Sequence, residues 1–370
     1  MKKLGFGLMR LPLNTPGNGK DIDMTTVKKM VDEFIGAGFT YFDTAYPYHG
    51  GMSESAFREA VVERYPREAY TITDKMPIFN KPTEEGMQDI FNEQLSRCGV
   101  DYFDYYLLHA MDHERYEYCK QVHAFEFVSR MKTEGKIKHI GFSFHDSAAV
   151  LDEILSEHPE IEYVQLQINY IDWDDKNVEG RKCYEVCLKH NKPVIVMEPI
   201  KGGSLAVLPE KAEALLKNYN NDASIASWAV RYVASLDNVV MVLSGMSNEE
   251  QMLDNLSYMK DFVPLNETEQ GLISEATDII KNAIAVPCTA CRYCTDGCPM
   301  QINIPEIFKI FNNTKKFPGI PAQAAPGQYK RLTEKSGKAS DCIECGQCME
   351  HCPQHIDITT WLKNIAEVFE

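Results

Sequence analysis

Along residues 1–286, short runs of aliphatic, β-branched and aromatic residues alternate with stretches whose apolar positions recur every three or four residues. The runs at 4–8, 41–42, 70–73, 103–108, 137–142, 163–168, 194–197 and 239–243 have the composition of strands buried on both faces. The stretches at 27–35, 53–64, 83–97, 125–134, 148–157, 181–190, 225–234 and 249–259 have helical spacing. Thr83 ahead of Glu84 and Glu85 supplies the N-cap and acidic first turn of a helix start. Eight strands, each followed by a helix, predict an α/β fold whose parallel sheet closes into a (β/α)8 TIM barrel. In such a barrel the polar residues at the C-terminal ends of the strands gather where chemistry is done.

After a helix expected at 266–281 and a boundary at 282–287, the pattern changes. Residues 288–299 and 342–353 are two copies of Cys-x-x-Cys-x-x-Cys-x-x-x-Cys-Pro. They comprise Cys288, Cys291, Cys294, Cys298 and Pro299, then Cys342, Cys345, Cys348, Cys352 and Pro353. Ile302 and Ile304 recur as Ile356 and Ile358, so the segment is an internal duplication. Three thiolates at this spacing on a tight coil reach three corners of an iron–sulfur cube, while the fourth, turned away at the proline, faces outward. The pattern resembles that of two-cluster ferredoxins, in which the fourth cysteine serves the other cube. That resemblance implies two 4Fe-4S clusters, one held by Cys288, Cys291, Cys294 and Cys352 and one by Cys342, Cys345, Cys348 and Cys298. A four-thiolate zinc site and disulfides are the alternatives, and neither accounts for paired quartets each ending in Cys-Pro. Further helices are expected at 305–312 and 357–369, with an irregular spacer, rich in proline and glycine, over 317–328.

Charge and composition act by exclusion. The formal charge of −16 lies wholly in residues 1–286, because nine basic and nine acidic residues balance from 287 onward. Nucleic acid is not an expected partner, since binding it takes basic patches that displace counterions. No stretch reaches the ~18 uncharged apolar residues of a membrane span, and the first residues lack the apolar run of a signal peptide. A cytoplasmic location is expected, where twelve cysteines make sense if metal holds eight of them. Cys98, Cys119, Cys183 and Cys187 are expected as buried apolar thiols.

Four polar residues stand at or just beyond predicted strand ends: Asp43, Tyr48, Lys75 and His109. Barrel closure would bring them together. A lysine ammonium beside a tyrosine hydroxyl is expected to favour the phenolate and lower the tyrosine pKa. Asp43 would keep the lysine charge tolerable, Tyr48 would protonate a carbonyl oxygen, and His109 would orient it. Read singly, the same residues are a turn aspartate, a buried ion pair and a core histidine.

Together they resemble the catalytic tetrad of the aldo-keto reductases, NAD(P)H-dependent carbonyl reductases built on this barrel, and the resemblance spans about residues 1–262. It implies that Ser143 and Gln167 hold the nicotinamide carboxamide, with Met197 where an aromatic residue usually stacks on the ring. It implies that Pro199, Ile200 and Gly202 belong to the loop over the pyrophosphate, and that Gly245, Met246, Gln251 and Asn255 meet the adenosine end. Phe144 replaces the family's asparagine, and residues 245–251 contain Glu249 and Glu250 but none of the bases that grip the NADP 2′-phosphate. NAD, NADP and a flavin therefore remain open. With its cysteine repeat the chain resembles the ferredoxin-fused branch, whose appended part is helical: a barrel over 1–286 and a small, mainly helical di-cluster domain over 287–370.

A hydride carries two electrons and an iron–sulfur cube exchanges one. The leading expectation is an oxidoreductase acting on a small carbonyl-type substrate, coupled through the clusters to an external one-electron carrier. The alternatives are a redox or oxygen sensor with a nucleotide-binding barrel, and a reductase whose clusters are structural.

Overall fold

A computed structural model describes residues 2–15, 17–283, 285–295, 297–316 and 320–370, side chains at 316 and 320–323 excepted. Eight strands pair in parallel, each with its neighbour in sequence and the last with the first, to close a barrel. They are β1 (Leu4–Gly7), β2 (Tyr41–Asp43), β3 (Thr71–Met76), β4 (Phe103–Met111), β5 (Ile137–Phe144), β6 (Tyr163–Gln167), β7 (Val194–Met197) and β8 (Val239–Ser244). Side chains alternate in and out along each strand. Tyr41, Leu107, Tyr163, Ile195, Met241 and Leu243 fill the interior, with Tyr105 packed against them. Two large tyrosines fit there because glycine faces them. A Cβ on Gly141 would lie 2.6 Å from the Tyr163 carbonyl oxygen, and one on Gly5 would lie 2.9 Å from the Tyr41 ring.

The helices mostly follow the predicted spacing, but helix Glu210–Tyr219 falls in no expected stretch and three others differ. The expected helix at 53–64 is α-helical only over Ser53–Phe57 and continues as a π-helix over Arg58–Val62. Helix His113–Gln121 had no apolar stripe to betray it, since only Tyr116 and Cys119 are buried in an otherwise polar run. The spacer expected to be irregular is a helix over Ile320–Thr333, although it contains Pro326. Its alanines favour helix, and Ala325 and Tyr329 are buried in the C-terminal core, so packing overrides the proline. The first residues of that spacer, 317–319, lie outside the described residues.

By internal contacts the chain forms two compact units, Met1–Pro199 with Val230–Leu265, and Ile200–Ala229 with Asn266–Glu370. This division differs from a cut at 286. The reason is that helix Glu267–Ala283 packs on helix Glu210–Tyr219 and on helix Ile304–Lys316, all in the second unit. Asn312 pins the chain on its way to the first cysteine motif, accepting from Val286 N at 2.8 Å and donating to Val286 O at 2.6 Å. Ile307, Phe308, Phe311, Tyr329, Leu362 and Ile365 form this unit's core. No helix among the described residues is long and apolar enough to cross a membrane.

Candidate functional site

Asp43, Lys75 and His109 sit near the C-terminal ends of β2, β3 and β4, and the two-residue period turns all three to the barrel interior. Lys75 is fully buried and donates to Asp43 Oδ1 and to the Thr44 carbonyl, each at 2.6 Å. The second Asp43 oxygen accepts from Gln165 Nε2 at 3.1 Å. These bonds compensate two charges that burial would otherwise penalise by several kcal/mol per ion. Tyr48 opens the short turn Tyr48–Gly51, in which His49 and Gly50 take left-handed conformations with φ of 54° and 61°. That turn brings the Tyr48 ring over Lys75, with Nζ 4.9 Å from the ring centre, and edge-on to His109 at 6.1 Å between centroids. Phe79 also packs edge-on against His109, at 5.3 Å. The four tetrad residues therefore converge.

Electrostatics departs from the sequence expectation at one point. Tyr48 is pushed well above its ordinary pKa by burial, reinforced by the charges of Asp43, Glu198 and Asp74 and opposed by Arg10. The expected lowering by Lys75 is outweighed by burial and by the nearby carboxylates, and the ammonium itself is bonded to Asp43 and Thr44. The phenol thus keeps its proton through neutral pH, the form a proton donor requires. Burial also raises the Asp43 carboxyl, with Lys75 opposing it.

His109 is pushed well below its ordinary range by burial and then by the charges of Lys75, His145 and Arg115. Its Nδ1 is buried without a hydrogen-bond partner. As pH falls through ~6.5, the unfolded chain protonates this histidine while the native site refuses the proton, so the native state loses stability. His109→Gln has no such proton to refuse. It is expected to lose less stability than the parent between about pH 7 and about pH 5.5 in urea unfolding; equal losses would show an ordinary imidazole.

The residues assigned to a nucleotide are placed as follows. Ser143 is buried near the end of β5, and its Oγ accepts from Ala110 N at 2.7 Å, bracing the left-handed turn (φ 58°) just after His109. Gln167 closes β6 and donates to Asp172 Oδ2 at 2.8 Å. Met197 closes β7 and Pro199 is buried two residues later, while Ile200 and Gly202 belong to the second compact unit. Gly245 is exposed and Met246 buried, just beyond β8. Gln251 lies in the first turn of helix Glu249–Met259, where its Oε1 accepts from Ser247 N at 2.8 Å. Asn255 donates to Gln251 O at 2.9 Å, and its own Oδ1 is buried without a partner.

Sequence reasoning missed several neighbours. Gln165 shares the inward face of β6 with Gln167, a period-two signal that was available. Phe79 gave no signal. Asn169 joins Gln167 on Asp172 Oδ2 at 2.8 Å, forming a buried polar set beyond β6. A base does reach residues 245–251 from elsewhere in the chain: the Arg10 side chain lies 3.3 Å from where a Cβ on Gly245 would stand. Glu249 is paired with Lys29 at 3.5 Å, though both side chains are largely exposed.

In the second unit the eight motif cysteines line two cavities. One is bounded by Cys288, Cys291, Cys294 and Cys352 together with Phe308 and Ile358. The other is bounded by Cys298, Cys342, Cys345 and Cys348 together with Ile304 and Leu362. No disulfide joins any described cysteine. Among the described residues no group of three or more His, Cys, Asp or Glu is placed to hold a single metal ion. Thiols spaced around a cavity suit a multi-iron cube better than one tetrahedral zinc. The thiols in each set also oppose one another's ionisation. After burial, Cys291, Cys288 and Cys352 push Cys294 up, and Cys342, Cys298 and Cys345 push Cys348 up to about 11. Facing thiolates of this kind call for a cationic occupant. Cys98, Cys119, Cys183 and Cys187 are buried elsewhere, in the first unit.

Comparison with known proteins agrees with both halves. The description "Aldo/keto reductase family" matches residues 3–278 and "4Fe-4S dicluster domain" matches residues 287–356. The NADH-specific methylglyoxal reductase of Escherichia coli is 20% identical over 324 residues, covering 76% of this chain and 96% of that protein. An aldo-keto reductase of Mycobacterium avium is 26% identical over 222 residues, 60% of this chain and 71% of that one. Among solved structures, an aldo-keto reductase from Bacillus halodurans in its holo form superposes with a TM-score of 0.61 at 23% identity, covering 74% of this chain and 91% of that one. With three-quarters of its length matched and a barrel of the same architecture, the chain belongs to the aldo/keto reductase family, as an oxidoreductase that carries a 4Fe-4S dicluster domain after its barrel.

Proposed function

We propose that this chain reduces the carbonyl group of a small substrate with a nicotinamide dinucleotide and carries two 4Fe-4S clusters that exchange single electrons with an external carrier. The observation that carries the first part is the convergence of Asp43, Tyr48, Lys75 and His109 in the barrel. Tyr48 holds the proton for the carbonyl oxygen, and neutral His109 donates a hydrogen bond to orient it. Lys75, anchored by Asp43 and Thr44, places a fixed positive charge beside the oxygen that becomes negative. The residues that would hold the dinucleotide are Ser143, Gln167, Met197 and Pro199 toward the nicotinamide, and Gly245, Met246, Gln251 and Asn255 toward the adenosine. The dinucleotide would supply the hydride. Carboxylates at 249 and 250 disfavour a 2′-phosphate, and the E. coli relative is named as NADH-specific, so NADH is the preferred form.

The second part is supported by the two thiol-lined cavities. Cys288, Cys291, Cys294 and Cys352 would hold one cluster, and Cys298, Cys342, Cys345 and Cys348 the other. The clusters would supply one-electron exchange, which hydride transfer alone does not need.

Anaerobically purified protein is expected to contain about eight irons per chain, as two cubes require, and to oxidise NADH faster than NADPH with methylglyoxal as the first carbonyl tested. Protein that is loaded with iron but oxidises neither nucleotide with any small carbonyl would sink the reductase reading. Protein that turns over with stoichiometric zinc in place of iron would sink the cluster reading.

A further inference from the structure

The two cysteine motifs are copies down to the backbone. Ala290 and Glu344 both take φ of 54°, Arg292 and Gly346 take 72° and 79°, and Gln301 and His355 take 52° and 49°. Gln301 N and His355 N donate back to the carbonyls of Cys298 and Cys352, each at 3.0 Å. The side chains differ, notably at the position after each Cys-Pro. Met300, after Cys298-Pro299, is 37% exposed at the wall of the cavity that contains Cys298, Cys342, Cys345 and Cys348. Its counterpart after Cys352-Pro353 is Gln354, 4% exposed at the wall of the other cavity.

Gln354 Oε1 accepts from Lys201 Nζ at 2.9 Å, and Lys201 is itself buried. The turn Lys201–Gly203 is pressed against this same cavity. Gly202 takes φ of 63°, and a Cβ on it would come within 2.1 Å of the carbonyl oxygen of Thr289, the residue after Cys288. Lys201 is thus fixed by its turn and by its hydrogen bond beside one cysteine set, and a thioether occupies the matching place at the other.

We propose that Lys201 is a positioning residue that sets the reduction potential of the iron–sulfur centre held by Cys288, Cys291, Cys294 and Cys352, raising it above that of the centre held by Cys298, Cys342, Cys345 and Cys348. The inference rests on the reading that 4Fe-4S clusters fill both cavities. One-electron reduction adds one negative charge to a cube, and a buried ammonium close by stabilises the reduced form through a low-dielectric medium. Gln354 aims that ammonium; Met300 has nothing with which to do the same. An electron supplied by a one-electron donor therefore comes to rest at the centre beside Lys201.

The test is a redox titration of the full chain, purified anaerobically, with dithionite as reductant and electron paramagnetic resonance as readout. Lys201→Met is expected to weaken reduction of one centre about tenfold, which is about 59 mV for one electron, and to leave the other unmoved. Lys201→Arg keeps the charge and is expected to restore most of the shift. Gln354→Met copies the other motif while retaining the lysine, and is expected to move the same centre the same way by less; it serves alone if Lys201→Met fails to load iron. Cys345→Ser identifies the signals, since it disturbs the centre that Lys201→Met leaves alone. Two fully loaded centres with unshifted potentials, or with potentials shifted equally, would overturn the proposal. Parent protein without any 4Fe-4S signal would remove the reading beneath it as well.

Discussion

Tyr48→Phe is expected to lower carbonyl reduction by about 10²–10⁴-fold, the usual share of a positioned proton donor. The substitution removes one oxygen and leaves the ring, so the contacts with Lys75 at 4.9 Å and His109 at 6.1 Å survive. Nucleotide affinity and iron content should therefore stay near those of the parent, and the loss should fall on kcat with KM for the nucleotide little changed. Steady-state kinetics with methylglyoxal and NADH, beside an iron assay, separates these quantities. The high pKa of the phenol adds a second expectation: its ionisation should not appear in the neutral range of the pH profile, because burial and the charges of Asp43, Glu198 and Asp74 hold the proton on. An unchanged rate would remove Tyr48 from the chemistry.

Asp43→Leu is expected to cost roughly 3–5 kcal/mol of stability, the cost of stripping one partner from a buried ion pair. Lys75 is fully buried, so its ammonium would be left with the Thr44 carbonyl as its remaining acceptor. Gln165 would lose its acceptor at the same time. The double variant Asp43→Leu with Lys75→Met should regain much of the loss, since two apolar side chains need no charge compensation, yet remain inactive. Urea unfolding of the three proteins, with activity measured on each, is the check. A cost below ~1 kcal/mol for Asp43→Leu would mean the pair behaves as an exposed one does.

The eight strands were legible because strands buried on both faces read as nearly unbroken apolar runs, as in Val194–Met197, and their observed limits lie within a few residues of those read from composition. Most helices that bury a stripe were legible, with Glu210–Tyr219 the exception. Helices were not legible where the run is polar all round, as at His113–Gln121, or where composition argues for coil, as at Ile320–Thr333. The tetrad could be read because each member stands at or just beyond a strand end. Its contacts could not: period two turns Gln165 inward, but its bond to Asp43, like the packing of Phe79 on His109, joins residues far apart in sequence. The Tyr48 pKa was misjudged for a related reason. Sequence shows Lys75 as a neighbour and not the burial and the carboxylates that outweigh it. The cysteine repeat was the most legible feature of all, since its spacing resembles that of two-cluster ferredoxins and the resemblance implies its grouping; Gln354, a residue that makes its halves unequal, acquires meaning only through Lys201.

The interleaving of the two thiol sets bears on how the chain matures. The cavity whose wall begins earliest in the sequence, at Cys288, is completed latest, at Cys352, whereas the other is complete once Cys348 has been made. The first cavity therefore gains its fourth thiol only when the second motif folds back on the first, and a polypeptide cut anywhere upstream of Cys352 would leave it one sulfur short.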